Sequence, residues 1–351
     1  MAKIDSENLY YLFNSQYGGN ISVGRDLHPH LPIAPNFIRQ KMLTNNGEFN
    51  LLCGFAKITR QHRIDVFHTN YFKPLLISCR SVIVIHDILQ EIMPQYFSPK
   101  LQFIQKTLLP LMARKADAVI TVSHFTKMQL LEKYRLNPNK IFVTLEAAAN
   151  VFRRLELDSS EVLRRYGIEG EYILYVGRLA PIKNIPTMLK AYAKVHRHLG
   201  GDLKFVLIGQ RDPAFPESEI DGLIDYLEIS DSIIFLSSVP TEDMVAIYNL
   251  ASVFLFMSCG EGFGLPILEA MACGAPVITS DTTACNEIAG NAAIKLPPGN
   301  VDQIADAIIM VLENSGLQKE LSEKGLARSD EFKWESCARE TLKVYEHVLR
   351  R

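Results

Sequence analysis

Over most of the chain, short apolar runs rich in β-branched and aromatic residues alternate with longer stretches whose apolar positions recur at helical spacing. Val66-Phe67-His68, Val82 to Ile85, Ala118 to Ser123 and Ile141 to Thr144 have the continuous hydrophobicity of strands buried on both faces of a parallel sheet. Between them Leu101 to Lys115 and Thr126 to Tyr134 read as helices, the second capped by Ser123. The alternation resumes with strands at Tyr172 to Val176, Phe205 to Gly209, Ile233 to Leu236, Ala251 to Met257 and Pro276 to Thr279. Helices are expected from Pro186, over Glu242 to Leu250 and over Val301 to Asn314. Strands and helices taking turns predict an α/β fold of doubly wound parallel sheets, and 351 residues suffice for two such domains. Arg153 to Arg165 is a charged connector between them. The first fifty residues are less regular: Tyr10 to Phe13 is strand-like, but Gly18-Gly19 and the Pro/His-rich stretch His28 to Pro35 lead into no clear helix.

One run carries most of the chemistry. Phe256 to Ser280 reads FMSCGEGFGLPILEAMACGAPVITS, a strand that breaks into a glycine loop and then a helix. Pro266 suits the first helical turn and Gly274 a left-handed position past the last. Free N–H groups at such a loop and the positive end of the helix dipole favour phosphate. Glu261 and Glu269, eight positions apart, repel phosphate and are better partners for hydroxyls. A ligand bearing both phosphates and hydroxyls is implied. A second loop, after Tyr172 to Val176, offers Arg178 and Lys183, a guanidinium fork and a point charge able to meet on one anion. In the first half, His68-Thr69-Asn70 and His86-Asp87 end strands, where doubly wound sheets bind ligands.

Composition excludes several classes. Hydrophobic residues make up 48% and charged residues 22%, as in ordinary globular proteins. No run approaches the roughly 18 apolar residues of a membrane span, and the N-terminus is unlike a secretory signal, so a cytoplasmic location is expected. Six cysteines without paired spacing read as free thiols, and His28-Pro29-His30 and His196-Arg197-His198 lack the further ligands of a metal site. Charge is unevenly placed, +7 over residues 1–150 and −9 over the remainder. Only the first half is suited to face an anionic partner. Leu101 to Lys115, with Lys106, Arg114 and Lys115, is compatible with an anionic membrane surface or with an ordinary core-facing helix.

The run around Glu261, Gly262, Phe263, Gly264 and Glu269 resembles the signature of retaining glycosyltransferases of family 4, in which two glutamates with seven residues between them flank Gly-Phe-Gly. Ala118 to Lys127 and the Phe332 to Arg351 stretch, with Trp334, are similar to further parts of that family. The resemblance implies the GT-B fold, two Rossmann-like doubly wound domains facing across a cleft. Residues 1–152 would form the acceptor domain, 153–331 the nucleotide-sugar domain, and 332–351 a helix crossing back to the first. It implies that Glu261 and the amides of Gly262, Phe263, Gly264 and Leu265 meet the donor sugar, and that Glu269 holds the ribose. Arg178 and Lys183, beside Gly177, would hold the diphosphate; Ser238 and Val239 would lie by the base; His86 would contact the sugar from the other domain. Glu261, His86, Arg178 and Lys183 are thereby the catalytic candidates. The family's opening strand, glycine loop and helix are not recognisable in the first fifty residues.

The implied reaction moves a hexose from a nucleotide-diphosphate sugar, UDP-glucose being favoured over GDP-mannose, to a saccharide or lipid-linked hydroxyl. No cofactor, metal or nucleic acid is called for. No nicotinamide fingerprint, Walker A loop or Asp-x-Asp metal motif occurs. A sugar-nucleotide epimerase and a non-catalytic nucleotide-sugar-binding subunit share these features and remain alternatives. Surface polysaccharide or glycolipid assembly at the inner face of a membrane would suit a basic first half.

Overall fold

The computed structural model describes residues 1, 3–13, 34–40, 54–156, 160–200, 202–212 and 217–351. Gly18-Gly19, His28-Pro29-His30 and Cys53 lie outside the described residues. The first lobe opens with β1 (Tyr10–Phe13) and β2 (Phe37–Gln40), paired in parallel as a sheet of their own. It continues through α1 (Phe55–Gln61), β3 (Val66–Asn70), β4 (Arg80–Ile85), α2 (Leu89–Ile92), α3 (Pro99–Lys115), β5 (Ala118–Thr121), α4 (His124–Tyr134) and β6 (Ile141–Val143). β3 to β6 form a parallel sheet in chain order. β3 runs past His68 to Asn70, so His68 and Thr69 lie inside the strand and not beyond its end.

Next come α5 (Ser160–Arg165), which turns the end of the charged connector into a helix, β7 (Tyr172–Val176), α6 (Ile185–Leu199), β8 (Lys204–Ile208), α7 (Glu217–Tyr226), β9 (Ile233–Leu236) and α8 (Thr241–Asn249). They are followed by β10 (Val253–Phe256), α9 (Leu265–Ala272), β11 (Val277–Ser280), α10 (Thr283–Ala289), β12 (Ile294–Leu296), α11 (Val301–Glu313), α12 (Ser315–Asp330) and α13 (Trp334–Leu349). The sheet order is β12-β11-β10-β7-β8-β9, all parallel. Parallel strands need covered faces, and β10 is accordingly buried at every position.

Residue alternation explains how the first sheet packs. Ile83, Ile85 and Val119 join Leu109 and Ala113 of α3 and Leu130 of α4 in one cluster. Val82, Val84 and Ile120 belong with Val344 and Val348 of α13 to the core that continues through the second sheet. The terminal helix thus packs on the first lobe, and Tyr345 hydroxyl meets His68 Nδ1 at 2.5 Å. α3 starts at Pro99 with Ser98 as its cap and buries Leu109, Met112 and Ala113. Its other side leaves Phe103 at 69%, Leu108 at 44% and Leu111 at 41% exposure, more apolar surface than a solvated helix face needs.

Candidate active site

In the second lobe β7 and β10 are neighbours, but β8 and β9 extend the sheet one way and β11 and β12 the other. The connections leaving β7 and β10 therefore diverge and open a crevice at the carboxyl ends of the strands, where such sheets bind ligands. The β7 connection carries Gly177, Arg178 and Lys183; the β10 connection carries Glu261 to Gly264. The structure joins them directly, since Lys183 Nζ forms an ion pair with Glu261 Oε1, both mostly withdrawn from solvent. Lys183 also lies 5.7 Å from the centre of the Phe256 ring. Arg178 goes elsewhere: it is more exposed, and its Nε meets Asp212 Oδ2 at 3.1 Å. Each cation thus has its own carboxylate.

Sequence dictates the loop's shape. Gly264 caps α9 with φ of 110° and Pro266 sits in its first turn. The Glu261 N–H donates to Thr283 Oγ1 at 3.2 Å, fixing the loop to α10. Gly274 is left-handed at φ of 81°, as the sequence predicts. Farther along α9, Glu269 accepts a hydrogen bond of 2.9 Å from the fully buried Tyr248 hydroxyl. Burial pushes the Glu269 carboxyl up from its ordinary value, and the Tyr248 hydrogen bond partly opposes this. Ser238 and Val239 follow β9, two strands from β7, with Ser238 exposed and Val239 against the core.

The first lobe meets this loop at Gly262. A Cβ there would lie 2.3 Å from His86 O and 2.9 Å from Asp87 Cβ, so only glycine permits the approach. The Gly262 carbonyl accepts a buried hydrogen bond of 2.7 Å from Ser123 Oγ. Thr126 Oγ1 ties the same place to His86 O at 3.0 Å. The His86 side chain points its Nδ1 to within 3.7 Å of Glu146 Oε1, which follows β6. Burial pushes Glu146 up while His86 pulls it down. Burial also pushes Asp87 up and Glu261 adds to this; the Leu89 N–H, His86 and Lys183 oppose it.

His86, Gly262, Glu261 and Lys183 are therefore brought together at one seam. The sequence did not single out Asp87 beyond its position at a strand end. Glu146, Tyr248 and Thr283 it missed altogether. Tyr248 lies on an ordinary amphipathic helix and Glu146 in a loop, with no local pattern to mark either. Glu287 falls within α10, and its carboxylate accepts from His124 N–H at 2.9 Å and Phe125 N–H at 2.8 Å.

Comparison with solved structures identifies the fold. Anabaena HepE in complex with UDP-glucose superposes with a TM-score of 0.71 at 19% identity, over 90% of this chain and 86% of that one. The protein is thus of the GT-B glycosyltransferase fold. Residues 161–328 match the family described as Glycosyl transferases group 1, and residues 19–144 match Glycosyltransferase Family 4. The second match reaches into the first fifty residues, where the local pattern is not recognisable. O-antigen chain mannosyltransferase B of Escherichia coli is 29% identical over 291 residues, 82% of this chain and 75% of that protein. The serotype-specific mannosyltransferase WbdA of Escherichia coli is 26% identical over 238 residues, 67% of this chain but 29% of that longer protein. The chain belongs to the group 1, family 4 glycosyltransferases and is a hexosyltransferase.

Proposed function

We propose that this enzyme transfers mannose from a nucleotide-diphosphate donor to a saccharide or lipid-linked acceptor hydroxyl in surface polysaccharide assembly, with retention and without a metal. The observation that carries the reading is the meeting of the β7 and β10 loops at the switch point, with Lys183 and Glu261 paired and His86-Asp87 closing over Gly262. Mannose is placed ahead of the glucose that the sequence favours because the two relatives described above are mannosyltransferases; UDP-glucose is the second candidate, given the HepE complex.

On this reading Lys183, Arg178 and the loop amides take the diphosphate, charge stabilisation organised before reaction. Glu269, held by Tyr248, takes the ribose hydroxyls, and the backbone around Ser238 and Val239 the base. As the bond from the anomeric carbon to the phosphate oxygen breaks, the acceptor oxygen bonds to the same face of the sugar. The acceptor proton passes to the departing phosphate. Glu261 orients the sugar and is no covalent nucleophile. On this reading Lys183, Arg178 and the loop N–H groups neutralise the leaving diphosphate in place of a metal.

The α3 face supports work at a membrane. Phe103, Leu108 and Leu111 are exposed and lie among Lys100, Lys106, Arg114 and Lys115, an apolar stripe with cations suited to anionic headgroups. Among the described residues no helix is long and apolar enough to cross a membrane.

Incubating the enzyme with GDP-mannose or UDP-glucose, with and without a polyprenyl-linked saccharide, tests the reading. Acceptor-dependent release of GDP, unchanged by EDTA, and an α-linked product are expected. Sugar isomerised without acceptor, or nucleotide bound without turnover, overturns it. Replacing Phe103, Leu108 and Leu111 together by Ser is expected to abolish sedimentation with phosphatidylglycerol vesicles and leave turnover of a soluble acceptor unchanged. Retained sedimentation removes the membrane role.

A further inference from the structure

We infer that Glu287 is a positioning residue for transfer: from the second lobe it holds the first turn of α4 in the first lobe against the donor loop, and so keeps the two halves of the site in register. The inference rests on the reading of this cleft as the transfer site. Helix α4 begins with N–H groups its own ladder cannot satisfy. Ser123 caps one of them, the Thr126 N–H, at 3.1 Å. The N–H groups of His124 and Phe125 are taken by the two oxygens of Glu287, at 2.9 and 2.8 Å, from a residue more than 160 positions away. A carboxylate at a helix N-terminus is also favoured by the dipole.

What makes this contact more than a cap is what lies at either end of α10. At its start Thr283 Oγ1 accepts the Glu261 N–H at 3.2 Å. One turn later Glu287 grips α4. Beyond it, Arg328 of α12 donates from Nη2 to Glu287 O at 2.8 Å and from Nε to Ile288 O at 2.9 Å, fixing the helix to the second lobe. The cap of that turn, Ser123, donates from Oγ to Gly262 O. One rigid strut therefore links the loop bearing Glu261 to the helix that touches the next residue of that loop. If Glu287 lets go, the donor loop meets the start of α4 through the Ser123 and Thr126 hydroxyls on Gly262 O, and the register of His86 against Glu261 loosens. Glu287 touches neither the diphosphate ligands nor Glu269.

Amide hydrogen exchange and kinetics on the full chain test this. In Glu287→Ala the exchange of the His124 and Phe125 amides is expected to rise at least tenfold. kcat is expected to fall at least tenfold and the acceptor KM to rise, while the Kd for GDP, measured by titration calorimetry, stays within twofold of the wild type. Glu287→Gln, which keeps an acceptor oxygen but loses the charge, is expected to fall between the two, as a tether should and a mere packing residue should not. Unchanged exchange at His124 and Phe125 in Glu287→Ala overturns the tether, whatever sugar the enzyme uses. Raised exchange with unchanged kcat and KM overturns the link to transfer, and an equal loss of GDP binding makes Glu287 part of the donor site instead. If the wild type transfers neither sugar, the exchange result still decides the contact, and the proposed function fails separately.

Discussion

Replacing Gly262 by alanine is the sharpest perturbation the geometry offers. The new methyl would sit 2.3 Å from His86 O and 2.9 Å from Asp87 Cβ. Carbon and carbonyl oxygen in ordinary contact stand about 3.3 Å apart, so the lobes must separate here by about 1 Å. Backbone meets backbone at this point, and no flexible side chain can swing aside. The movement also stretches the Ser123 hydrogen bond to Gly262 O, now 2.7 Å and buried, at a cost of about 1–3 kcal/mol. A misplacement of about 1 Å between reacting groups costs on the order of 100-fold in rate. Gly262→Ala is therefore expected to lower kcat/KM about 100-fold in an initial-rate assay of nucleotide release, with nucleotide affinity little changed because the second lobe alone forms that part of the site. Gly260→Ala is the control: its methyl meets Met93 Sδ at 2.7 Å, Leu89 Cδ2 at 3.0 Å and Ile182 Cδ1 at 3.2 Å, all side-chain ends that can move. It should cost less than about tenfold. Equal rates for Gly262→Ala and wild type, or a larger loss from Gly260→Ala, would refute the argument that this seam sets the geometry.

Two further expectations come from the same site. The folded-state pKa of Glu269 lies above its ordinary value, so the folded chain holds this proton more tightly than the unfolded chain; the stabilisation is full below the ordinary value and is lost as pH rises through the raised one. Glu269→Gln should consequently melt higher than wild type at pH 8 and no differently at pH 4, while binding GDP at least about tenfold more weakly, about 1.4 kcal/mol; a melting difference that grows on acidification would contradict the sign. Lys183→Ala should lower kcat about 100-fold or more, as loss of a built-in charge-stabilising donor does, and Arg178→Ala, at a more exposed side chain, nearer about tenfold; the reverse ranking in steady-state kinetics would put the diphosphate on the Arg178 side of the crevice.

The site's two loops were legible because each is written in one continuous stretch. A strand, glycines, a glutamate and a proline at N1 specify the β10 loop from local rules alone, and Arg178 and Lys183 lie five apart on the loop after β7. The parallel sheets were legible for the same reason, as continuous apolar runs. What local pattern does not encode is which distant groups satisfy them. Glu261 read as a hydroxyl ligand, yet its nearest partner in the fold is Lys183, 78 positions earlier. Ser123 read as an ordinary helix cap, and it is one; its second bond, to Gly262 across 139 positions, follows only from the docking of the lobes. Glu146 and Tyr248 carry no signal at all, because a single glutamate in a loop and a tyrosine in a helix core are common.

Charge shows why the seam matters to the chemistry. The second half of the chain is net acidic, −9, a poor overall match for an anionic donor. Local placement overrides the total: Asp87 and Glu146 sit where burial favours their neutral forms, and Glu261 is matched by Lys183. On the proposed reading an arriving diphosphate competes for Lys183 with Glu261. As the ammonium turns toward phosphate, a carboxylate oxygen of Glu261 is released for a sugar hydroxyl, so one cation couples the filling of the phosphate site to the orientation of the sugar. A released Glu261 would repel its neighbours unless they stay uncharged, and Asp87, whose carboxyl Glu261 already pushes up, is held beside it by contact of the lobes at Gly262. On that reading the closed seam is the condition under which Glu261 can face the donor sugar without a cation of its own.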